Sequence, residues 1–303
     1  MSAKAQDVDL RARITLSREH AAEIHETSGR RVSAPIRSAF ARDLTGGQLP
    51  TCLSKLVGMR GRGGEVPLKL LIALIWRSAS PPFDTRISAR KWAELLGLSD
   101  AAHLGARRVT DGFQTLAGLN LIDIEKRRGE ASIITLREES GTGVEYTLPK
   151  GHGDLYFHIP AQLWLTGKIQ LLSAPAVGML MAVLAELDPK DPQRHVWWST
   201  KVFPQRIGLS PSSRSRGTKE LIEAGLLEVK RVPIPTTANR TSFSEERVRT
   251  LYIPTGDALA AKKAVVDSAN AKSSSSSSPS KRPSRTHKAR GQGSKRVPKR
   301  ATS

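Results

Sequence analysis

Cysteine is almost missing from this sequence: Cys52 stands alone among 303 residues, which excludes a disulfide framework and any cysteine-rich zinc site. Aromatic residues make up only 5% and hydrophobic residues 38%, a low share for one compact globule, so part of the chain is expected to lie outside a core. Acids are scarce, 28 against 48 Lys and Arg. Long apolar runs are also lacking. The one stretch that suggests a membrane, Leu171 to Leu187, has 17 residues, the short edge of a span, and carries Ser173 and Glu186. Pro175, just after the cap-type Ser173, reads instead as the start of a buried helix of a soluble domain. The N-terminal MSAKAQDVDLRARITL has no basic-then-apolar pattern, so a signal peptide is not expected and the setting is read as reducing and cytoplasmic.

What the chain has is positive charge. Its formal net charge is +20, which makes a polyanion the default partner, either nucleic acid or an anionic membrane surface. Ten Lys and Arg and no acid fall between Ser268 and Ser303, half of the net charge. That stretch also holds the serine run 273 to 278, several prolines and almost no large apolar residue. It cannot bury enough surface to offset its ordering entropy and is read as a disordered basic tail suited to phosphate contact through counterion release. The plainer reading is a solubilising tail.

Residues 1 to 64 are weakly patterned, with a short helix expected over Ser17 to Thr27 and a basic, glycine-rich linker at Gly58 to Gly64. That linker lacks the Lys-Ser/Thr ending of a phosphate loop. From Pro67 the pattern sharpens. PLKLLIALIWRSA is a helix, Thr85 to Ile87 a very short strand, and Ser88 caps a second helix ended by Gly97. After a turn comes a third helix from about His103 to Leu119, with Asn120 at its left-handed end. LIDIEKRR and ASIITLRE then form a hairpin with its tip at Arg128-Gly129-Glu130. The order of helix, short strand, helix, turn, helix, hairpin is that of a winged helix.

The order recurs. Pro175 to Leu187 is a helix, Val196 to Trp198 a short strand, Ser199 to Ile207 a second helix ended by Gly208, and Ser212 to Ala224 a third, with Gly225 in the place of Asn120. LLEVKRVPI then pairs with RVRTLYI. Gly-Leu-Ser (97–99 and 208–210) and Leu-Ile-Asp-Ile against Leu-Leu-Glu-Val (121–124 and 226–229) mark the duplication. Pro204 is expected to shorten or kink the second helix of the second copy. The first copy carries about six extra residues between Gly97 and Asn120. Between the copies, Tyr146 to Leu148 and Leu155 to Ile159 read as strands and Ala161 to Leu165 as a short helix. The fold class is thus α+β: an N-terminal extension and linker (1–64), a first winged helix (65–140), connecting elements (141–171), a second winged helix (172–256) and a basic Ser-rich tail (257–303).

The third helix of such a unit lies in the major groove, where Arg pairs with guanine, Gln with adenine, and hydroxyls with phosphate or either base. The candidate DNA-binding residues are His103, Arg107, Arg108, Thr110 and Gln114 in the first copy and Ser212, Ser213, Arg214, Arg216, Thr218 and Lys219 in the second. The competing reading is a solvated helix face, but such faces usually mix signs, and Ser210 to Lys219 holds three cations and no acid. Asp111 would repel phosphate and is expected to face elsewhere. Wing-tip candidates are Lys126, Arg127 and Arg128, then Arg231, Asn239 and Arg240, all placed to meet backbone or minor groove.

Catalytic constellations are poor, and neither a cofactor nor a metal site is expected. His152 and His158 flank a strand without the close spacing of a metal-dependent nicking site. Tyr156 beside them is the single place for a nucleophile, the weakest alternative. Cys52 has no nearby partner and reads as structural. Trp197-Trp198 alternate across a strand, so one is core; stacking of the other on a base is a less favoured reading than a plain surface aromatic.

WAELLGLS…RRVTDGFQTLAGLNLIDIEKR and FPQRIGLS…RSRGTKELIEAGLLEVKR, with the second wing closed by RTLYIP, resemble plasmid replication initiators of the tandem winged-helix type, especially actinobacterial ones. The resemblance covers about Val66 to Ile253. It implies two modules gripping successive major grooves of repeated origin sites, recruitment of host replication proteins, no catalytic site, a bacterial nucleoid- or plasmid-associated location, and a homodimer as one assembly. A winged-helix transcriptional regulator is the alternative on the same physics, and an RNA-binding or membrane-surface basic protein a more distant one.

Overall fold

The computed structural model describes residues 3–59, 61, 63–150, 153–188, 195–234 and 248–259. His152, Asn239, Arg240 and the basic Ser-rich tail lie outside these residues. The protein is a mixed α+β structure with three small antiparallel sheets among the described residues.

The N-terminal segment is more than an extension. Helix α1 (Ala3–Thr27) runs 25 residues and leads to β1 (Ser33–Arg37), α2 (Ser38–Ala41) and α3 (Cys52–Val57). α1 buries only a narrow line of positions, Ser17, Ala21 and Ile24, rather than a broad apolar stripe. Its hold on the rest is polar: Ser17 Oγ donates to the Leu95 carbonyl, Arg13 to that of Gly97 at 2.9 Å, and Arg18 to that of Leu165 at 3.0 Å.

The first repeat comprises α4 (Glu65–Arg77), β2 (Asp84–Thr85), α5 (Ala89–Leu95), a π turn at Ala101–Gly105, α6 (Ala106–Gly118), β3 (Ile122–Glu125) and β4 (Ile133–Leu136). The Ser88 side chain caps α5 by accepting from Lys91 N, as its residue type led us to expect. The strands are ordered β2-β4-β3. Connecting elements follow: β5 (Tyr156–Pro160), α7 (Gln162–Leu165) and α8 (Lys168–Leu171). β5 pairs with β1, Ala34 opposite Ile159 and Ile36 opposite Phe157, so the N-terminal segment completes a sheet with the chain between the repeats.

The second repeat has α9 (Ala174–Glu186), α10 (Val202–Ile207), α11 (Pro211–Glu223), β6 (Leu227–Pro233) and β7 (Val248–Pro254), followed by a short 3-10 turn at Gly256–Leu259. The expected strand at Val196 to Trp198 is a single bridge, Val196 opposite Tyr252, which still gives the order of the first sheet. α10 begins three residues later than expected. That puts Pro204 in its first turn, where a missing N–H leaves no bond broken, so the helix is shortened and not kinked. The extra residues of the first repeat form the π turn, while α6 and α11 are both 13 residues long. α9, the apolar stretch, is buried on all sides, and among the described residues no helix is long and apolar enough to cross a membrane.

One hydrophobic cluster runs through both repeats, from Trp76, Trp92 and Leu116 to Met179, Phe203 and Leu221. α3 is wedged between them. Leu53 and Leu56 are fully buried, Thr51 Oγ1 donates to the Ile207 carbonyl of the second repeat at 3.4 Å, and Cys52 Sγ lies 3.7 Å from the Ser140 carbonyl after the first. Burial pushes the Cys52 thiol up, consistent with a structural role.

A polar weld joins β1 to the chain after β4. The Arg37 guanidinium binds Glu139 at 2.7 Å, Asp154 at 3.0 Å and both the carbonyl and the hydroxyl of Thr147 at 2.9 Å. Tyr146 lies against Arg37 and Arg30, and accepts from Arg30 Nη2 at 3.1 Å. Burial, with Glu139 close by, pushes its phenol up to about 12.

Candidate nucleic-acid interface

Each repeat presents its third helix on the first turn of its first helix, and a glycine makes each contact close. A Cβ on Gly112 would meet Leu70 Cδ1 at 2.9 Å and Val66 Cγ1 at 3.3 Å on α4; one on Gly217 would meet the Pro175 carbonyl oxygen at 2.3 Å on α9. Beyond each helix the chain turns through a left-handed residue, Asn120 at φ 57° and Gly225 at φ 66°, a conformation open to Gly and Asn. Gly112 and Gly217 stand at the same distance before these residues, which fixes the register between repeats. In that register Leu116 matches Leu221, Val109 matches Arg214, Phe113 matches Thr218 and Asp111 matches Arg216.

The first-repeat candidates all lie in the open. His103 is on the π turn and Arg107, Arg108, Thr110 and Gln114 are on α6, all exposed, and among the described residues neither Arg107 nor Arg108 makes an ion pair. Asp111, expected to face elsewhere, is exposed on the same stripe, one helical turn from Arg107 and beside Thr110. The first face therefore carries a carboxylate where the second carries Arg216.

In the second repeat the candidates divide. Ser212, Arg216 and Lys219 are exposed; Lys219 approaches Glu223 at 3.8 Å, and Arg216 has no ion pair among the described residues. Ser212 and Ser213 bond through their hydroxyls to Ser210, whose side chain caps α11. Arg214 and Thr218 turn inward, contrary to expectation. Arg214 occupies the position of the buried Val109. Its Nε donates to the Tyr252 hydroxyl at 2.9 Å, its Nη2 to the Trp198 carbonyl at 3.3 Å, and its guanidinium lies 4.5 Å from the Phe203 ring centroid. Thr218 Oγ1 is buried without a hydrogen-bond partner. Ser215, exposed in the position of Thr110, joins the outward face and was missed. The first repeat carries the signal for all three placements: Arg214 aligns with the buried Val109, Thr218 with the buried Phe113 and Ser215 with the exposed Thr110.

No protein-family model, curated protein or solved structure matches this chain.

The hairpin tips extend the basic surface. Lys126, Arg127 and Arg128 are exposed beside Gly129; Arg127 is held by Glu125 at 3.0 Å, while Lys126 and Arg128 have no ion pair among the described residues. Arg231 is exposed on β6, and a groove of about 460 Å³ runs between α11 and the β6–β7 hairpin, lined by Thr218, Lys219, Arg231 and Thr250. The side of α11 nearer the first repeat carries both signs, with Glu220 accepting from the Ser173 amide at 2.6 Å. The Lys69 ammonium, buried and bound to Glu65 and the Gln170 carbonyl at 2.9 Å each, feels both Arg108 of α6 and Glu220 of α11.

Of the residues considered for catalysis, His152 lies outside the described residues, and His158 and Tyr156 stand side by side on β5. His158 shares a 2.8 Å hydrogen bond with Ser33 Oγ and packs edge-on to Tyr156. Burial, with Arg30 nearby, pulls its pKa down. Among the described residues no group of three His, Cys, Asp or Glu is placed to hold a metal.

Proposed function

We propose that this protein binds double-stranded DNA sequence-specifically through two winged-helix modules, with α6 and α11 as the groove-reading helices and the β3–β4 and β6–β7 hairpins as wings. The observation that carries the reading is the repetition: two helices of equal length, in one register, each seated on its own first helix and each leaving a cation-bearing face in solvent. The chemistry of the faces differs. Arg107, Arg108 and Gln114 offer donors for guanine and adenine edges, and Asp111 beside them suits the cytosine amino group. Arg216 and Lys219, with Ser212 and Ser215, form a more cationic face suited to guanine and phosphate. Arg214 supports this face from beneath and does not itself read bases. Among DNA-binding roles, the resemblance of the tandem units favours plasmid replication initiation, which an origin-dependent replication assay addresses directly.

Selection of bound fragments from random duplex DNA tests the proposal. The expected product is a double-length motif with a fixed spacer. Arg216→Ala should relax preference in one half only, each lost bidentate contact weakening binding by about 1–3 kcal/mol. A single short motif, or no enrichment over random duplex, refutes two reading heads.

A further inference from the structure

A second cleft opens on the other side of α11, between that helix, α10, the Trp197–Trp198 segment and β7. It encloses about 770 Å³, within the range of small-molecule sites. Among the described residues its lining holds no carboxylate, whereas Glu223 lines both other clefts beside α11. At its rim, Trp197 is 45% exposed, while the other four tryptophans are buried. The Arg249 guanidinium lies 3.9 Å from the Trp197 ring centroid, and its buried Nε has no hydrogen-bond partner among the described residues. Arg214 borders the same cleft with two of its three nitrogens already engaged, and Thr200 and Thr250 add hydroxyls.

This is an unusual way to leave a tryptophan and an arginine on a protein surface. A large exposed indole gains nothing from water, and a stacked guanidinium lacking an acceptor at Nε gains little from its position. Both are satisfied by one kind of occupant: a flat aromatic ring to extend the stack, joined to an anion that takes the free N–H groups. We propose that the cleft binds a single nucleotide, its base against Trp197 and its phosphate on Arg249 and the remaining nitrogen of Arg214. The nucleotide has two sources, a free mononucleotide or one unstacked nucleotide of a DNA strand lying along the neighbouring reading face. The second source rests on the duplex-binding proposal; the recognition chemistry does not.

The test uses the full chain, with thymidine monophosphate in equilibrium dialysis, a dye-labelled oligothymidylate of about ten nucleotides in fluorescence anisotropy, and a labelled random duplex as the third arm. Trp197→Ala should weaken oligothymidylate binding about tenfold or more, the range for loss of one base stack, and leave duplex affinity and thermal midpoint unchanged. Trp197→Phe, which keeps an aromatic face, should restore most of the loss. Saturable, Trp197-dependent binding of the mononucleotide identifies a free nucleotide as an occupant, and dependence seen with the oligonucleotide alone identifies the strand. Unchanged oligothymidylate affinity in Trp197→Ala with no saturable mononucleotide binding overturns the proposal, as does a loss that phenylalanine fails to repair. A wild-type protein that ignores duplex but takes oligothymidylate through Trp197 removes the duplex reading and keeps this one.

Discussion

Alanine at Gly217 is expected to be among the most damaging single-methyl additions in this protein, and at Gly112 nearly harmless, although the two glycines are equivalent. At Gly217 the new Cβ would lie 2.3 Å from the Pro175 carbonyl oxygen, 2.8 Å from its carbon and 3.0 Å from Met179 Cβ. The first two are backbone atoms of α9 and cannot rotate aside. To reach 3.0 Å, α11 must retreat from α9 by about 0.7 Å, which loosens the contacts around Leu221. Overpacking of this kind costs about 1–3 kcal/mol, and a backbone obstacle belongs at the upper end. Alanine returns about 1 kcal/mol through helix propensity, leaving a net loss of about 2 kcal/mol. For a unit of this size that is a fall in thermal midpoint of about 4–8 °C. At Gly112 the obstacles are the tips of Leu70 and Val66 side chains, which can yield. The propensity gain roughly offsets their adjustment, and the midpoint should move by no more than about 2 °C. Circular dichroism melts of the two variants beside wild type decide the matter. A Gly217→Ala protein as stable as wild type, or equal losses at both sites, refutes the claim that α11 rests on α9 backbone.

Two further outcomes follow from side-chain environments. Arg214→Leu should lower the thermal midpoint by several degrees, through loss of the aromatic contacts and the Tyr252 bond, while Arg216→Ala should leave it unchanged; a stable Arg214→Leu protein would contradict the inward placement. For His158 the imidazole pKa is held below its ordinary 6.5, so the unfolded chain binds the proton more readily than the folded one. The associated stability is fully present above about pH 6.5 and is lost as pH falls below it. Urea midpoints measured from pH 7.5 to 5 should decline more in wild type than in His158→Gln, and parallel declines would assign the effect to other groups.

The parts of the fold legible in the sequence were those with local chemistry. Ser88 capping α5, Pro175 opening α9, and the left-handed Asn120 and Gly225 act through their own backbone or a neighbour within one turn. The like order of elements in the two segments was legible because Gly-Leu-Ser and the strand openings recur. Illegible were features set by distant contacts. α1 has no strong apolar stripe, since it is seated through Ser17, Ala21 and hydrogen bonds to carbonyls some eighty or more residues away. The pairing of β1 with β5 spans the whole first repeat and leaves no local trace. Arg214 misled because a cation on a helix reads as outward. Only Trp198, Phe203 and Tyr252 together, from three separate segments, make an interior place for it. Asp111 misled the other way: repulsion from phosphate carries no information on helical phase, which sets it beside Thr110.

The wedge of α3 carries a consequence for any long ligand. With Leu53 and Leu56 sunk into a cluster common to both halves, and hydrogen bonds running from residues 51 and 52 to each side, neither half can swing without tearing open the middle of the molecule. The distance between α6 and α11 is then a constant of the fold, and the protein behaves as a caliper of set opening. Under the proposed duplex reading, such an instrument should tolerate no inserted base pair between its two points, because each added step shifts the second target by both distance and rotation about the duplex axis.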